Sequence, residues 1–290
     1  GGFMIIAIVG PTGVGKTKMS VELAKHYGAF VVNSDAVQVY REMDIGSAKV
    51  KKEEIDGIKH YLFDIKNPDE EYTVKDYQTD ARDILDKNKG KNIIFCGGTG
   101  LYLSAALMDY RFYDDEADDS YDDLTNEELY KMVMEKNPNL QVDPHNRVRL
   151  IRALNRKDMP VVEPKLLYEN VIIIGLTTQR DKLYDIINAR VDEMFASGLV
   201  DEVRGLLKKY PSSRVLNSAI GYKEVIGYLN NEYDLESAKE LIKKNSRHYA
   251  KRQYTWFNNK MNVTWFSVNY DNFNETIKEV IDYIDEIKNK

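Results

Sequence analysis

Eight residues near the amino end of the chain have the types and spacing that hold a phosphate chain. Residues 10–17 read GPTGVGKT and match G-x-x-x-x-G-K-[ST] at every fixed position. In this pattern the glycines let backbone N–H groups turn toward an anion at a helix N-terminus, while the lysine reaches the outer phosphate and the hydroxyl ligates Mg²⁺. The pattern does not indicate which bond of the phosphate compound breaks. The predicted phosphate-binding residues are Gly10, Pro11, Thr12, Gly13, Val14, Gly15, Lys16 and Thr17, with Lys16 and Thr17 also catalytic and Thr17 the Mg²⁺ ligand.

A carboxylate follows the second apolar run, in the stretch VVNSDAVQVY at residues 31–40. A magnesium ligand of the Walker B type would end an apolar strand directly, whereas Asp35 lies in a polar loop with Ser34 and Gln38. Carboxyl ends of parallel strands share one edge of a sheet, so this loop should lie beside the phosphate loop. We predict that Asp35 is a general base that takes a proton from an acceptor. A structural turn residue is the alternative.

A second glycine cluster, GGTGLY at residues 97–102, follows another apolar run. By itself it is consistent with a simple strand-to-helix turn. Its position at the carboxyl end of a strand, where open α/β sheets bind ligands, favours a functional role. We therefore predict that Thr99 contacts phosphate or acceptor.

Basic side chains recur at helical spacing in two later segments of this net acidic chain. In DPHNRVRLIRALNRK, residues 143–157, Arg149, Arg152 and Arg156 fall on one face, and Val148, Ile151 and Leu154 can face a core. The segment KELIKKNSRHYAKRQYTWF, residues 239–257, interleaves Lys243, Arg247 and Lys251 with Tyr249, Tyr254, Trp256 and Phe257. Solvated helix faces are the ordinary explanation. Two such stripes, with aromatic rings available for stacking, favour a nucleic-acid acceptor over a small metabolite.

The elements that must position these residues alternate apolar runs with helical patterns, as in a parallel α/β sheet. Strands are predicted at Met4–Val9, Ala29–Asn33, His60–Ile65, Asn92–Cys96 and Val171–Leu176, and helices at Lys16–Tyr27 and Thr73–Asn88. We expect an α/β fold: a P-loop NTPase-like core over residues 1–113, a helical insertion over 114–143, a return to the core over 144–180, and a mostly helical part over 181–290. The acidic run DDEADDSYDD at 114–123 predicts a solvated linker.

Size and composition exclude several classes of protein. The chain has 290 residues and a net charge of −6, which argues against a globally basic nucleic-acid binder. No apolar run approaches the roughly 20 residues that span a bilayer, and no signal peptide is expected. The single cysteine, Cys96, cannot form an internal disulfide or a cysteine-rich zinc site. We expect a monomeric cytoplasmic protein without membrane contact.

Several segments together resemble the bacterial tRNA dimethylallyltransferases (tRNA isopentenyltransferases). They are GPTGVGKT, NSDAVQVYREMDIGSAK, FCGGTGLYL, DPHNRVRLIRAL, GLVDEVRGLL and AIGYKE, in the order of that family and over nearly the whole chain. The resemblance implies transfer of a dimethylallyl group from dimethylallyl diphosphate to N6 of the adenine 3′ to the anticodon, A37, in tRNAs that read codons starting with U. It also implies Mg²⁺ as cofactor and a P-loop core with a helical insertion that grip the RNA between them.

The resemblance also assigns roles by matching position. It implies that residues 12–17 hold diphosphate and Mg²⁺, that Asp35 is the base at the adenine amine, and that Thr99 lies at the acceptor. Together with the basic stripes, it gives these expected tRNA-binding residues: Asp35, Ala36, Val37, Gln38, Thr99, Val148, Arg149, Leu150, Ile151, Arg152, Lys243, Arg247 and Lys251.

Two departures from the family pattern stand out. Ser47 replaces the usual threonine and keeps the hydroxyl. Some relatives carry an arginine shortly before the GY[KR] motif, but here the residues are Asn217 to Ile220, and Lys223 or Arg180 is the candidate substitute for a diphosphate contact.

Three other functions share parts of these signals. They are a P-loop kinase of a small hydroxylated metabolite or nucleoside, an adenylate isopentenyltransferase with a free nucleotide as acceptor, and a non-catalytic RNA-binding module switched by nucleotide. The two basic stripes argue against the first two. Loss of function on substitution of Asp35 would argue against the third.

Overall fold

A parallel sheet forms the centre of the protein. The computed structural model describes residues 3–110, 119–155 and 164–290. The sheet has the strand order β3-β2-β4-β1-β5-β6, and all neighbouring strands are parallel. The strands are β1 (Ile5–Val9), β2 (Phe30–Asn33), β3 (His60–Tyr61), β4 (Ile93–Cys96), β5 (Val171–Thr177) and β6 (Thr264–Ser267). The α/β fold class is confirmed. Near-continuous apolar runs form the central strands because helices cover both faces of the sheet.

The predicted strands agree with the structure, except that β3 is shorter than predicted and β6 was not predicted. Strand β3 stops after Tyr61 because Leu62 and Asp64 adopt left-handed backbone conformations, with φ of 65° and 55°, which end the extended chain. The edge strand β6 was not predicted. It has only four residues, and they show no clear alternation of polar and apolar side chains within the mostly helical second half of the chain.

Helices surround the sheet and make up most of the second half of the chain. The helices of the larger unit are α1 (Lys16–Tyr27), α2 (Lys52–Ile55), α3 (Val74–Lys87), α4 (Gly100–Leu107), α7 (Arg180–Ala196), α8 (Leu199–Lys209), α9 (Arg214–Ser218), α10 (Tyr222–Leu229), α11 (Leu235–Lys260) and α12 (Phe273–Lys288). Within the described residues, none of the helices combines the length and the apolar character that a membrane span needs.

The chain divides into two compact units, and the expected division is wrong at its second boundary. The larger unit contains Gly1–Asp109 and Leu166–Lys290, and the smaller contains Tyr110–Lys165. Residues 144–165, which we expected to return to the core, therefore belong to the smaller unit. The physical reason is that this segment includes a helix whose apolar residues pack within the smaller unit. Residues 114–118 of the acidic run lie outside the described residues, and Asp119–Tyr121 form a short 3-10 helix.

The smaller unit has its own apolar core between α5 (Asn126–Lys136) and α6 (Arg147–Asn155). Leu129, Val133 and Leu150 form its buried centre. The prediction that Val148 faces a core is wrong, because its side chain is 60% exposed and Leu150 occupies the core position. Arg147 ties the unit together by donating to the backbone oxygens of Leu124 and Tyr121, at 2.8 and 2.7 Å.

One carboxylate in the larger unit fixes a loop that leads to the sheet edge. Glu202 on α8 accepts hydrogen bonds from the backbone N–H groups of Asp44, Ile45 and Gly46, and from the Tyr222 hydroxyl at 2.8 Å. The Tyr222 ring lies so close to Gly46 that a Cβ there would be 2.5 Å from it. The segments DIGSAK, GLVDEVRGLL and AIGYKE are therefore far apart in sequence but form one packed cluster.

We predict that Glu202→Gln lowers the free energy of unfolding by about 1–3 kcal/mol, because the amide replaces a charged acceptor shared by several donors. Urea denaturation monitored by circular dichroism measures the change. The matched control is Glu193→Gln, at an exposed position on α7, which should be neutral. Equal stability of the two variants would contradict the role of Glu202.

Candidate active site

The phosphate loop connects β1 to α1 and is shaped by close backbone contacts. Gly10 has a φ of 142°, and a Cβ there would lie 2.5 Å from the Leu176 backbone oxygen, so only glycine fits. The Lys16 ammonium donates to the Gly10 backbone oxygen at 2.5 Å, which folds the side chain back over the loop. Pro11 and Val14 are buried and support the loop from below, whereas Thr12 is exposed. Helix α1 begins at Lys16, so its N-terminus faces the space that the loop encloses.

The Asp35 loop is held rigidly by the buried Asn33 at the end of β2. The Asn33 side chain accepts from the Asp35 N–H at 2.8 Å and donates to the Asp35 backbone oxygen at 3.0 Å. The Asp35 carboxylate in turn accepts from the N–H groups of Val37 and Gln38, at 2.9 and 3.2 Å. Both contacts use Oδ1, so Oδ2 remains for another partner.

The glycine cluster after β4 packs directly on the Asp35 loop. A Cβ on Gly97 would lie 2.5 Å from the Ser34 backbone, so a side chain there would separate the two loops. The Thr99 hydroxyl accepts from the Ala36 N–H at 2.9 Å, and the Thr99 N–H donates to the Ser34 backbone oxygen at 3.2 Å. The structure therefore brings the predicted residues Asp35 and Thr99 together.

The same cluster also approaches the phosphate loop. The position of a Cβ on Gly98 would be 3.4 Å from the Lys16 ammonium. The three strand-end loops after β1, β2 and β4 thus meet at one edge of the sheet, as the sequence predicted from their positions.

Helix α11 closes this site from the opposite side through Gln253, which the sequence did not single out, and through Tyr249 and Trp256, which it named only as rings available for stacking. Gln253 is buried and donates to the Gly98 backbone oxygen at 2.8 Å, while its Oε1 has no hydrogen-bond partner in the described part of the chain. The side chains of Thr99 and Gln253 lie close enough to Tyr249 to act on the pKa of its hydroxyl. The Trp256 ring fills the space beside Gly100, where a Cβ would be 2.0 Å from it.

The expectation of aromatic rings available for stacking on α11 is wrong for most of the rings. Phe257 is fully buried in the core. Tyr254 hydrogen-bonds to Thr177 at 2.7 Å and packs on Trp265. These rings hold α11 against the sheet, because a long helix that spans one side of a sheet needs an apolar face along its length.

Burial shifts the protonation equilibria of the two principal charges in opposite directions. Burial raises the pKa of the Asp35 carboxyl, although the hydrogen bond from Val37 and the charge of Lys16 act against this. Burial lowers the pKa of Lys16, and the charge of Arg190 acts in the same direction. Burial also raises the pKa of Tyr249 to about 12, which keeps its hydroxyl protonated.

The predicted tRNA-binding residues outside the loops have different environments. Lys243 pairs with Asp192 at 2.9 Å and its side chain is only 15% exposed, and Arg247 donates to Asn188 at 2.9 Å. Lys251, Arg149 and Arg152 are exposed.

The remaining predicted positions on α6 also differ in their solvent exposure. Val148 is exposed, Ile151 is half-buried, and Leu150 is buried. Leu150 would therefore support an RNA-contacting helix from inside the unit and would not touch the RNA through its side chain. Arg156 lies outside the described residues.

Among the described residues, neither candidate substitute for the missing arginine hydrogen-bonds to the phosphate loop. Lys223 is exposed on α10, and Arg180 donates to the Tyr184 hydroxyl at 3.3 Å. Arg190 occupies this place instead: a Cβ on Gly13 would lie 3.0 Å from the Arg190 Cδ. Sequence reasoning missed Arg190 because it stands in the amphipathic pattern of α7, and the only signal for it is a cation on a helix that follows a central strand.

The residues present fit a magnesium ion that is held mainly by phosphate oxygens. Within the described ranges no group of three or more acidic, histidine or cysteine side chains could hold a metal by itself. Mg²⁺ commonly uses few protein oxygens, water molecules and substrate phosphates. Thr17, in the first turn of α1, has the hydroxyl that such a site requires.

Comparisons with known proteins identify the family. A family model described as IPP transferase matches residues 38–260. The chain is 40% identical to a tRNA dimethylallyltransferase from Anoxybacillus flavithermus, with 98% of this chain and 97% of the relative covered. It is 42% identical to a tRNA dimethylallyltransferase from Bacillus anthracis, with 97% and 95% covered.

Solved structures agree with this result. The fold matches a full-length tRNA isopentenylpyrophosphate transferase from Bacillus halodurans with a TM-score of 0.77 at 40% identity, covering 98% of this chain and 96% of that one. A tRNA isopentenylpyrophosphate transferase from Staphylococcus epidermidis matches with a TM-score of 0.74 at 35% identity, covering 98% and 99%. A eukaryotic dimethylallyltransferase, at 24% identity and a TM-score of 0.74, shares the fold. The motifs, the parallel sheet and the site at its edge have the same explanation: the chain belongs to the IPP transferase family.

Proposed function

We propose that this protein transfers a dimethylallyl group from dimethylallyl diphosphate to N6 of A37 in tRNAs that read codons starting with U. The observation that carries the proposal is the convergence of Asp35, Thr99 and Lys16 where the loops after β2, β4 and β1 meet. A base, a hydroxyl and a phosphate-binding cation are the groups that this reaction needs. The names of the relatives, tRNA dimethylallyltransferase, support tRNA as the acceptor.

Asp35 is the general base in this proposal. The lone pair of an exocyclic adenine amine is delocalised into the ring, so the amine is a weak nucleophile. As N6 forms its bond to C1 of the dimethylallyl group, the bond from C1 to the diphosphate oxygen breaks, and the N6 proton passes to the Asp35 carboxylate. Thr99 and the loop from Asp35 to Gln38 would position the adenine, with the Gln38 amide itself held by the Ser47 backbone oxygen at 2.9 Å.

Lys16 and the loop backbone act on the leaving group. The ammonium and the N–H groups at the start of α1 would stabilise the negative charge that builds on diphosphate. Thr17 would hold Mg²⁺, which when bound supplies further positive charge to the same oxygens. Residues 12–17 would thus bind diphosphate as a leaving group, and no phosphoryl group would be transferred.

Exposed basic side chains would bind the RNA backbone. Arg149, Arg152 and Lys251 are exposed and suited to phosphate contacts, whereas a phosphate contact by Lys243 would have to displace Asp192. The target adenine is stacked in the anticodon loop, so it must be turned out of the stack to reach Asp35. A tRNA substrate also supports a cytoplasmic location, and a monomer remains our expectation.

We predict that the protein incorporates radiolabelled dimethylallyl groups from the diphosphate into unmodified tRNA in the presence of Mg²⁺. Asp35→Asn should lower the rate by roughly 10²- to 10⁴-fold, because the general base is lost. Asp83→Asn, which changes an exposed aspartate on α3 that pairs with Lys87, is the matched control. Label in AMP instead of tRNA would favour an adenylate isopentenyltransferase, and ADP formation from ATP without any label would favour a kinase.

We predict that the acidic limb of the pH–rate profile lies above the ordinary carboxylate value of about 4. Burial raises the pKa of Asp35, and only the ionised form accepts a proton, so activity should fall as pH decreases through this raised pKa. The measurement is kcat/KM against pH at saturating Mg²⁺. A profile that stays flat down to pH 4 would contradict Asp35 as the base.

We predict that tRNA affinity falls steeply as salt rises, because phosphate neutralisation releases counterions. Replacing Arg149 and Lys251 by alanine should reduce the slope of log K against log[salt] by roughly 1 per lost contact. Lys89, an exposed residue between α3 and β4, is the control position. Affinity that does not change between low and high salt would exclude the basic residues as RNA contacts.

A further inference from the structure

A second cation lies against the phosphate loop. Arg190 extends from α7, and its stem contacts Gly13: a Cβ on Gly13 would lie 3.0 Å from the Arg190 Cδ and 3.8 Å from its Nε. Ile186 Cγ2 is closer still, at 2.6 Å from the same position, so the loop packs at Gly13 against both Ile186 and the Arg190 stem of α7. Gly13 also has a φ of 92°, a backbone conformation that residues with a side chain rarely adopt.

The Nε–H group of the Arg190 guanidinium is a hydrogen-bond donor that is not used. It is buried and has no hydrogen-bond partner in the described part of the chain. The acid two residues along α7, Asp192, is paired with Lys243 on α11. Tyr270, which closes the other side of the loop by donating to the Gly13 backbone oxygen at 3.4 Å, brings no negative charge in its protonated form.

Two cations, Lys16 and Arg190, therefore lie at the same small loop, and each opposes the charge of the other. A buried donor without a partner destabilises the fold, because it has lost its hydrogen bonds to water. Sites that keep such a donor commonly bind an anion, and an arginine can use two parallel N–H groups to hold one phosphate. An apolar side chain at this position would stabilise the fold more than an arginine does.

We propose that Arg190 is a direct binding residue for the phosphate groups at the loop, where its guanidinium contacts the diphosphate from the side opposite Lys16. The inference rests on the proposed function in taking a diphosphate as the ligand. Arg190 would contribute most where the negative charge on diphosphate increases as the carbon–oxygen bond breaks. It would act together with Lys16, so that one cation reaches the outer phosphate and the other flanks the loop at Gly13.

The test measures binding of inorganic pyrophosphate, with magnesium chloride, to the full chain by isothermal titration calorimetry. We expect Arg190→Gln to raise Kd by roughly 10- to 100-fold and Arg190→Lys by a smaller factor, because lysine keeps the charge but loses the fork. Arg204→Gln is the matched control, since Arg204 is exposed on α8 and pairs with Asp201 on the same helix.

An unchanged Kd in a folded Arg190→Gln variant overturns the proposal, because it would mean that the guanidinium only packs against Gly13. If Arg190→Gln does not fold, Arg190→Lys decides, and an unchanged Kd there has the same meaning. Pyrophosphate binding requires neither tRNA nor a prenyl group. If binding depends on Arg190 but no label enters tRNA, the proposed function fails and the inference stands. If label enters tRNA and binding does not depend on Arg190, only the inference fails.

Discussion

The contact between the Asp35 loop and the glycine cluster after β4 is the constraint on which the site depends. Gly97 packs against the Ser34 backbone with no space for a side chain, and Thr99 bonds to Ala36 across the gap. This contact sets the distance between the carboxylate and the hydroxyl. Lys16 then falls beside Gly98, because β1 lies next to β4 in the sheet. The order of three parallel strands thus fixes the positions of the three chemical groups.

Burial gives these groups their chemical character. A carboxyl whose pKa is raised is a stronger base toward a weakly acidic amine than an exposed one, and the same burial strengthens every charge that acts on diphosphate. The environment that benefits the reaction is costly to folding, since Lys16 and Arg190 are like charges at one loop. Anion binding would relieve that cost.

The distant motifs are connected by packing. Glu202 holds the backbone at residues 44–46, Tyr222 packs under Gly46, and the Ser47 backbone oxygen fixes the Gln38 amide beside Asp35. A segment of α8 and one at the start of α10 therefore support the loop that carries the base. This explains why GLVDEVRGLL and AIGYKE accompany NSDAVQVYREMDIGSAK in one chain, since Glu202 and Tyr222 act by holding the loop in place.

The sequence by itself determined the α/β fold class, the central strands, the phosphate loop and the meeting of Asp35 with Thr99, because apolar runs and glycine spacing are local signals and parallel strands share one carboxyl edge. Only the tertiary structure decided that Leu150 and not Val148 is buried, that residues 144–165 belong to the smaller unit, that the rings of α11 hold the helix in place, and that Arg190 lies at the phosphate loop. Each of these depends on which face of a helix meets which neighbour. An amphipathic pattern shows which face of a helix is apolar but not which element that face packs against. The contributions of α7 and α11 to the site are therefore visible only in the tertiary structure.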